Sequence, residues 1–454
     1  MTALLADIAV TSSLIEICRG IGRGDLSERA RAVAAQCLLD WFGVTLAGSR
    51  EPLACILRAE ADEQGGNSHA TIVGTGMKVP ARTAALVNGA TSHALDYDDV
   101  HLAMSGHPTV PVLPALLALA EHRGAALGDV VTAFAAGVEM ECRIGAYVMP
   151  GHYRAGFHAT GTLGTFGAAA ACAHLLGLSE EQWGHAMGIA GSQASGLKSM
   201  FGTMTKPLQA GNAAANGLLA AQLAERGFTA NPEVLETAQG FAATQHGNGS
   251  QLRATRSNGG LAVEDVLFKY HAACYGTHET IEGMLRLKER EQLSADDVAS
   301  IRLDVPRGHL AMCNIQEPTT ALEGKFSLRF TAALALAHGD TSEAAFTAER
   351  VRDAALVELR DRVRVEPWAE ERQGTRVTVS LRDGRELSEA VNLDVPDPDL
   401  ARQGTRLEAK FRSLAAPVLG AGRAETLLRT VLALDEATEI RELMRLAATE
   451  AGDA

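Results

Sequence analysis

The 454-residue chain carries 41 Lys and Arg against 55 Asp and Glu, a formal charge of 41 − 55 = −14, and is 46% hydrophobic but only 4% aromatic. Such an acidic surface repels nucleic-acid phosphates and anionic lipid, which removes both as expected partners, and any anionic substrate would need a local cluster of positive charge. Alanine, leucine and valine must fill the core, which favours close-packed helices, and the length points to two or three domains at roughly 150 residues each.

Met1 to Arg19 contains acids and lacks a basic region leading into an apolar run, so no secretory leader is expected. Seven scattered cysteines without a C-x-x-C pair fit thiols in a reducing compartment, read here as the cytoplasm. No apolar run is long enough to span a membrane.

Ala30, Val33, Ala34, Cys37, Leu38 and Trp41 trace an amphipathic helix with Ser27 as its N-cap. After the turn at Gly65-Gly66-Asn67 comes a strand-like Thr71-Ile72-Val73. A further helix is expected from about Arg82, where Leu86, Ala90, His93, Ala94 and Tyr97 share one face. Asp96, Asp98 and Asp99 would then crowd its last turn, where carboxylates oppose the negative end of the helix dipole, so local stability does not account for them. His107 lies between Gly106 and Pro108, and a residue before proline is held extended, which places this imidazole on a fixed loop. The next helix is expected from near Pro111 to Gly124. A solvated acidic helix end is the alternative reading of this stretch.

Val130 to Met149, Gly164 to Leu178 and Gly211 to Gly227 read as helices, the first two rich in alanine and glycine, which permits close approach. Two loops ahead of helices carry further chemistry. Gly156-Phe157-His158-Ala159-Thr160-Gly161-Thr162 puts an imidazole and hydroxyls at a helix start, a natural carboxylate site, although His158 also reads as a hydrogen-bonded core residue. Thr205-Lys206-Pro207 sets a lysine before another helix. Phe268 to His278 packs Lys269, Tyr270, His271 and His278 into a hinge between domains, where ligands often bind.

From Lys269 the pattern changes. Ser300 to Val305 and Arg376 to Leu381 alternate with a period of two, and the second continues through Arg382-Asp383-Gly384 into Glu386 to Leu393 as a hairpin. Helical runs are expected at Ser327 to His338 and Ser342 to Arg360. From about Leu407 the chain returns to helix. The expected fold is therefore mainly α, with a large all-helical domain from both chain ends (1–268 and 404–454) and a smaller α+β lid domain (269–403).

A phosphate-binding G-x-x-x-x-G-K-[ST] loop, an H-E-x-x-H zinc motif, a cysteine quartet, an EF-hand loop and a G-x-S-x-G elbow are all missing from the sequence. Three carboxylates within Asp96 to Asp99 could still hold a hard cation.

Taken together, His93-Ala94-Leu95-Asp96-Tyr97-Asp98-Asp99 with Gly106-His107-Pro108, Gly156 to Thr162, Thr205-Lys206-Pro207-Leu208 with Gly211-Asn212-Ala213-Ala214, Lys269 to Tyr275 with Thr277-His278, and Glu323 to Ser327 resemble the MmgE/PrpD family over nearly the whole chain. The resemblance implies a homodimer with a metal-free, cofactor-free site. It also implies chemistry on di- or tricarboxylates: 2-methylcitrate dehydration, cis-aconitate decarboxylation or iminodisuccinate epimerisation. By motif, Asp96, His107, His158, Lys206 and Lys269 fall on catalytic positions, with Thr160, Tyr270 and His278 as further substrate contacts. Val100, Gln209 and His271-Ala272-Ala273 depart from the motifs of several members, which leaves the substrate open.

All three reactions develop negative charge on carboxylate oxygens, and Lys206, Lys269 and His158 read as the cations that would stabilise it. His107 with Asp96 reads as the proton-transfer pair. A cofactor-independent lyase is the leading expectation. An epimerase using the same pocket and a non-catalytic carboxylate-binding protein are the alternatives.

Overall fold

Alanine and glycine set the helix spacing in the larger part of the protein. The computed structural model describes residues 9–245, 260–370 and 372–449, which leaves the first eight residues of the stretch read for a leader outside the described residues. The chain is mainly α. It divides into two compact units, Met1–Phe268 with Asp397–Ala454, and Lys269–Pro396.

In the first unit, Ser27 caps the Glu28–Gly48 helix by accepting from the Ala30 amide. The Leu400–Leu419 helix packs on Glu28–Gly48. Its Lys410 is buried, with Nζ 2.6 Å from Asp40 and 2.7 Å from the Tyr97 carbonyl. Among the described residues no single helix is long and apolar enough to cross a membrane.

Five helices frame the loop that the sequence marks out: Ala81–Ser92, Thr109–Arg123, Leu127–Val148, Ala159–Leu175 and Thr205–Glu225. Where Ala81–Ser92 crosses Thr205–Glu225 the backbones nearly touch. A Cβ on Gly89 would meet the Gly211 Cα at 2.9 Å, and one on Gly211 would meet the Leu86 carbonyl oxygen at 2.3 Å. From that crossing the first helix runs on toward Asp96 while the second runs back to its first turn at Lys206. The contact of two glycines thus brings a lysine to a carboxylate.

Two expectations change here. The Ala81–Ser92 helix stops before Asp96, so the three carboxylates lie on the following loop rather than in a last helical turn. His93, at the helix end, turns its ring to Asp98, and Asp96 takes a left-handed backbone with φ of 51°. The later helix begins at Thr205 rather than Gly211, with Lys206 in its first turn, where Pro207 lacks an amide that would be unsatisfied in any case.

The second unit holds a four-stranded sheet. Val298–Val305 lies between Val363–Pro367, parallel to it, and Thr375–Leu381, antiparallel, while Glu386–Val391 pairs antiparallel with Thr375–Leu381 at the edge. The Tyr275–Glu291 helix packs on Thr375–Leu381 and Glu386–Val391. The Ser342 to Arg360 run is not one helix: it breaks into Ala348–Val351 and Ala354–Asp361, because Asp353 caps the second by accepting from the Ala355 and Leu356 amides.

The glycine crossing is testable. Gly211→Ala gains helix propensity but drives a Cβ into backbone, and overpacking of this kind costs about 1–3 kcal/mol. Thermal unfolding should show a melting point several degrees lower for Gly211→Ala. Gly24→Ala, at a position with nothing within 4 Å of the added Cβ, should melt like the unaltered protein.

Candidate functional site

The loop between Ala81–Ser92 and Thr109–Arg123 folds back on itself through hydrogen bonds of its own side chains. His93 Nδ1 lies 2.9 and 3.0 Å from the two carboxylate oxygens of Asp98. His107 Nδ1 lies 2.9 Å from Asp98 Oδ2 and 2.8 Å from the Asp99 carbonyl. The His107 amide donates to Thr160 Oγ1 at 3.1 Å, which ties the loop to the start of Ala159–Leu175. Asp99 accepts from the Thr109 hydroxyl and amide at the head of the next helix.

An outer set of charges stands over this buried clamp. Lys206 Nζ donates to Asp96 Oδ1 at 2.7 Å, and His107 Nε2 lies 3.5 Å from the same oxygen. Asp96, Lys206 and His107 keep 25%, 14% and 12% of their side-chain surface, whereas Asp98 and His93 keep 2% and 0%. The outer three can therefore meet a solute, and the inner two cannot. The ammonium of Lys206 has three donors, and this contact with Asp96 engages one.

His158 stands buried at the N-cap position of Ala159–Leu175, with Nδ1 2.6 Å from Gln209 Oε1. Gln209 Nε2 donates to the Leu197 carbonyl at 3.2 Å, so Oε1 is the acceptor and His158 Nδ1 carries the proton. The His93 and His158 rings stack at 5.9 Å, and Phe201 closes on His158 edge-on at 5.0 Å.

Burial dominates the electrostatics. It lowers His93 to about 4 despite Asp98, with Lys206 and His107 adding to the effect. It lowers His158 well below the ordinary histidine range, helped by His93 and Lys206. This corrects the sequence reading of His158 as a fixed cation: a ring that desolvation keeps neutral offers hydrogen bonds and a lone pair instead. Burial works to raise Asp98, yet the facing imidazoles of His107 and His93 hold it well below its ordinary value. Asp99 is pushed up to about 8, first by burial and then by Asp40.

Atoms of His93, Asp96, Asp98 and His107 lie within 4.8 Å of one another, close enough to suit a metal ion. Both Nδ1 atoms face Asp98, and the Lys206 ammonium supplies the positive charge at Asp96.

Asp96, His107, His158 and Lys206 are thus brought together in the first unit. Thr160 lies beside them, but its fully buried hydroxyl is engaged by the His107 amide, so it supports the loop rather than offering itself to a solute. Lys269, Tyr270 and His278 belong to the second unit. There Lys269 and His278 are buried, His278 Nε2 donates to the Ala273 carbonyl at 3.2 Å, and burial with His271 lowers its basicity. In the same segment His271 joins Thr341 at 2.6 Å and Glu282 at 3.0 Å. The sequence reading did not give His93, Asp98 and Gln209 working parts. A histidine at a helix end five residues before an aspartate was the available sign for the first two.

The chain matches the MmgE/PrpD N-terminal domain over residues 12–252 and the MmgE/PrpD C-terminal domain over residues 271–436. It belongs to the MmgE/PrpD family. It is 28% identical to the cis-aconitate decarboxylase of Homo sapiens over 461 aligned positions, which cover 96% of this chain and 94% of that protein. It is 27% identical to the cis-aconitate decarboxylase of Aspergillus terreus, with 97% of this chain and 96% of that protein covered.

A further buried acid lies near Asp99. Glu141, on Leu127–Val148, is fully buried, and neither carboxylate oxygen has a partner among the described residues. Burial, with Asp99, raises it well above the ordinary glutamate range. The unfolded chain gives up this proton from about pH 4.3 upward while the folded protein keeps it, so this group removes stability as pH rises above that value. Melting points measured from pH 5 to pH 8 should therefore move in favour of Glu141→Gln over the unaltered protein as pH rises. A difference constant across that range would contradict the protonated assignment.

Proposed function

We propose that the protein is a cofactor-independent lyase acting on a di- or tricarboxylate by proton transfer next to a carboxylate, with cis-aconitate decarboxylation as the reaction to test first. The observation that carries this reading is the partly exposed Lys206–Asp96–His107 group set over the buried Asp98. Membership of the family and the full-length likeness to cis-aconitate decarboxylases support the same choice.

In such a decarboxylation the bond to the departing carboxylate breaks. Its electron pair spreads through the adjacent double bond toward a remaining carboxylate, and a carbon takes up a proton as carbon dioxide leaves. Negative charge therefore grows on carboxylate oxygens. Lys206 is the cation for it, and one well-aimed donor is worth roughly 3 kcal/mol in a water-excluded site. His107 presents Nε2 on the exposed side while Nδ1 is held from behind, so Nε2 is the atom that takes a proton from solvent and passes it to the carbon. His158 contributes a neutral ring fixed by Gln209. For Lys269 as a catalytic residue and for Tyr270 and His278 as substrate contacts, the support is the family resemblance alone.

The same reading makes the protein a cytoplasmic homodimer that needs no metal. The free cysteines suit a reducing compartment, and the lysine at Asp96 suits chemistry without a Lewis acid.

Proton NMR in deuterated water with cis-aconitate, 2-methylcitrate and iminodisuccinate separates the outcomes. The expected result is loss of carbon dioxide from cis-aconitate, with one solvent deuteron in the product, and a fall of about 100- to 10,000-fold in turnover for His107→Ala. Deuterium exchange with no loss of carbon dioxide or water would make the protein an epimerase. Ligand-induced thermal stabilisation with no turnover of any of the three would make it a carboxylate-binding protein.

A further inference from the structure

We propose that Asp98 is a positioning residue that locks His93 and His107 in one tautomer, so that both rings carry the proton on Nδ1 and leave Nε2 as a lone pair. The inference deepens the lyase reading and rests on it for its consequence in turnover. The clamp itself stands on geometry.

Asp98 lies nine-tenths or more out of solvent, with two imidazoles against its carboxylate. His93 Nδ1 is 2.9 and 3.0 Å from its two oxygens, and His107 Nδ1 is 2.9 Å from Oδ2. An ionised carboxylate only accepts, so both facing nitrogens must be donors. The second neighbour of His107 Nδ1, the Asp99 carbonyl at 2.8 Å, is also an acceptor and demands the same proton. Each ring is then left with its Nε2. That of His107 lies on the exposed side, 3.5 Å from Asp96. That of His93 is buried with no partner among the described residues. The two rings meet edge to face at 4.6 Å, so neither can turn without displacing the other.

The surrounding charges suit an ionised Asp98. Lys410 faces it from the Leu400–Leu419 helix, paired with Asp40 of Glu28–Gly48, and Asp99 adjoins it on the same loop. Lys206, from the first turn of Thr205–Glu225, and His158, from the start of Ala159–Leu175, face the rings on the other side.

Asp98→Leu keeps nearly the same volume but removes every acceptor at this position, so His93 Nδ1 loses both of its partners while the Asp99 carbonyl still faces His107 Nδ1. The experiment is long-range proton–nitrogen correlation on protein labelled with 15N-histidine, assigned with His93→Gln and His107→Gln, together with kcat and KM. In the unaltered protein both rings should show the Nδ1–H pattern. In Asp98→Leu the His93 ring should lose that fixed pattern, and kcat should fall by at least about 100-fold with KM changed little. A merely structural residue would lower the rate and leave the His93 pattern unchanged.

An Nε2–H pattern for either ring of the unaltered protein overturns the proposal, as does an Asp98→Leu variant in which the His93 ring keeps its fixed Nδ1–H pattern. Should the variant not fold, the spectrum of the unaltered protein alone decides. Should no carboxylate turn over, the lyase reading fails while the tautomers still test the clamp.

Discussion

A single ionised carboxylate, Asp98, holds the loop between His93 and His107 in place. A charge left unpaired in the interior costs several kcal/mol, so the chain can keep Asp98 buried only by surrounding it with donors. His93 and His107 meet that need directly. Lys410 does so from further off, and because it is paired with Asp40 and bonded to the Tyr97 carbonyl, the C-terminal segment holds the same loop that the N-terminal segment forms. This gives a physical reason for a unit built from both chain ends: the buried charges of the loop are balanced by groups more than 300 residues away in sequence.

The site is layered. Below are neutral or tightly compensated groups, among them His93, Asp98, Asp99 and Glu141, where burial decides which form is stable. Above are Asp96, Lys206 and His107, partly exposed and close enough to act together. In an acidic protein this arrangement resolves how an anion could be held. The positive charge is local, fixed by a helix start, and kept near Asp96 by the glycine contact between Gly89 and Gly211. Asp96 and Ser105 both take a left-handed conformation in this loop, uncommon for residues other than glycine, and such strain gathers at functional positions.

Much of this was legible in the sequence, for reasons that can be named. Helix periodicity marked Ala81 to Ser92 and Glu28 to Gly48 because their apolar faces repeat, and the alternation in Arg376 to Leu381 marked a strand for the same reason. Loop chemistry and family motif singled out Asp96, His107, His158 and Lys206, which the first unit brings close together. The end of the Ala81–Ser92 helix was missed because a side-chain bond from His93 to Asp98, not a propensity, turns the chain there. The parallel strand Val363–Pro367 escaped because its pairing with Val298–Val305 is set by sheet register across some sixty residues. The neutral state of His158 escaped because burial is a property of the fold and not of the motif.

The claim on which the account turns is that the partly exposed group over Asp98 is where a carboxylate binds. Calorimetric titration with propane-1,2,3-tricarboxylate, which lacks the double bond needed for reaction, tests it without turnover. Lys206→Ala should bind roughly 10- to 100-fold more weakly than the unaltered protein, the range for losing hydrogen bonds to a charged group. Equal affinity in the two proteins would place the carboxylate elsewhere and contradict the account.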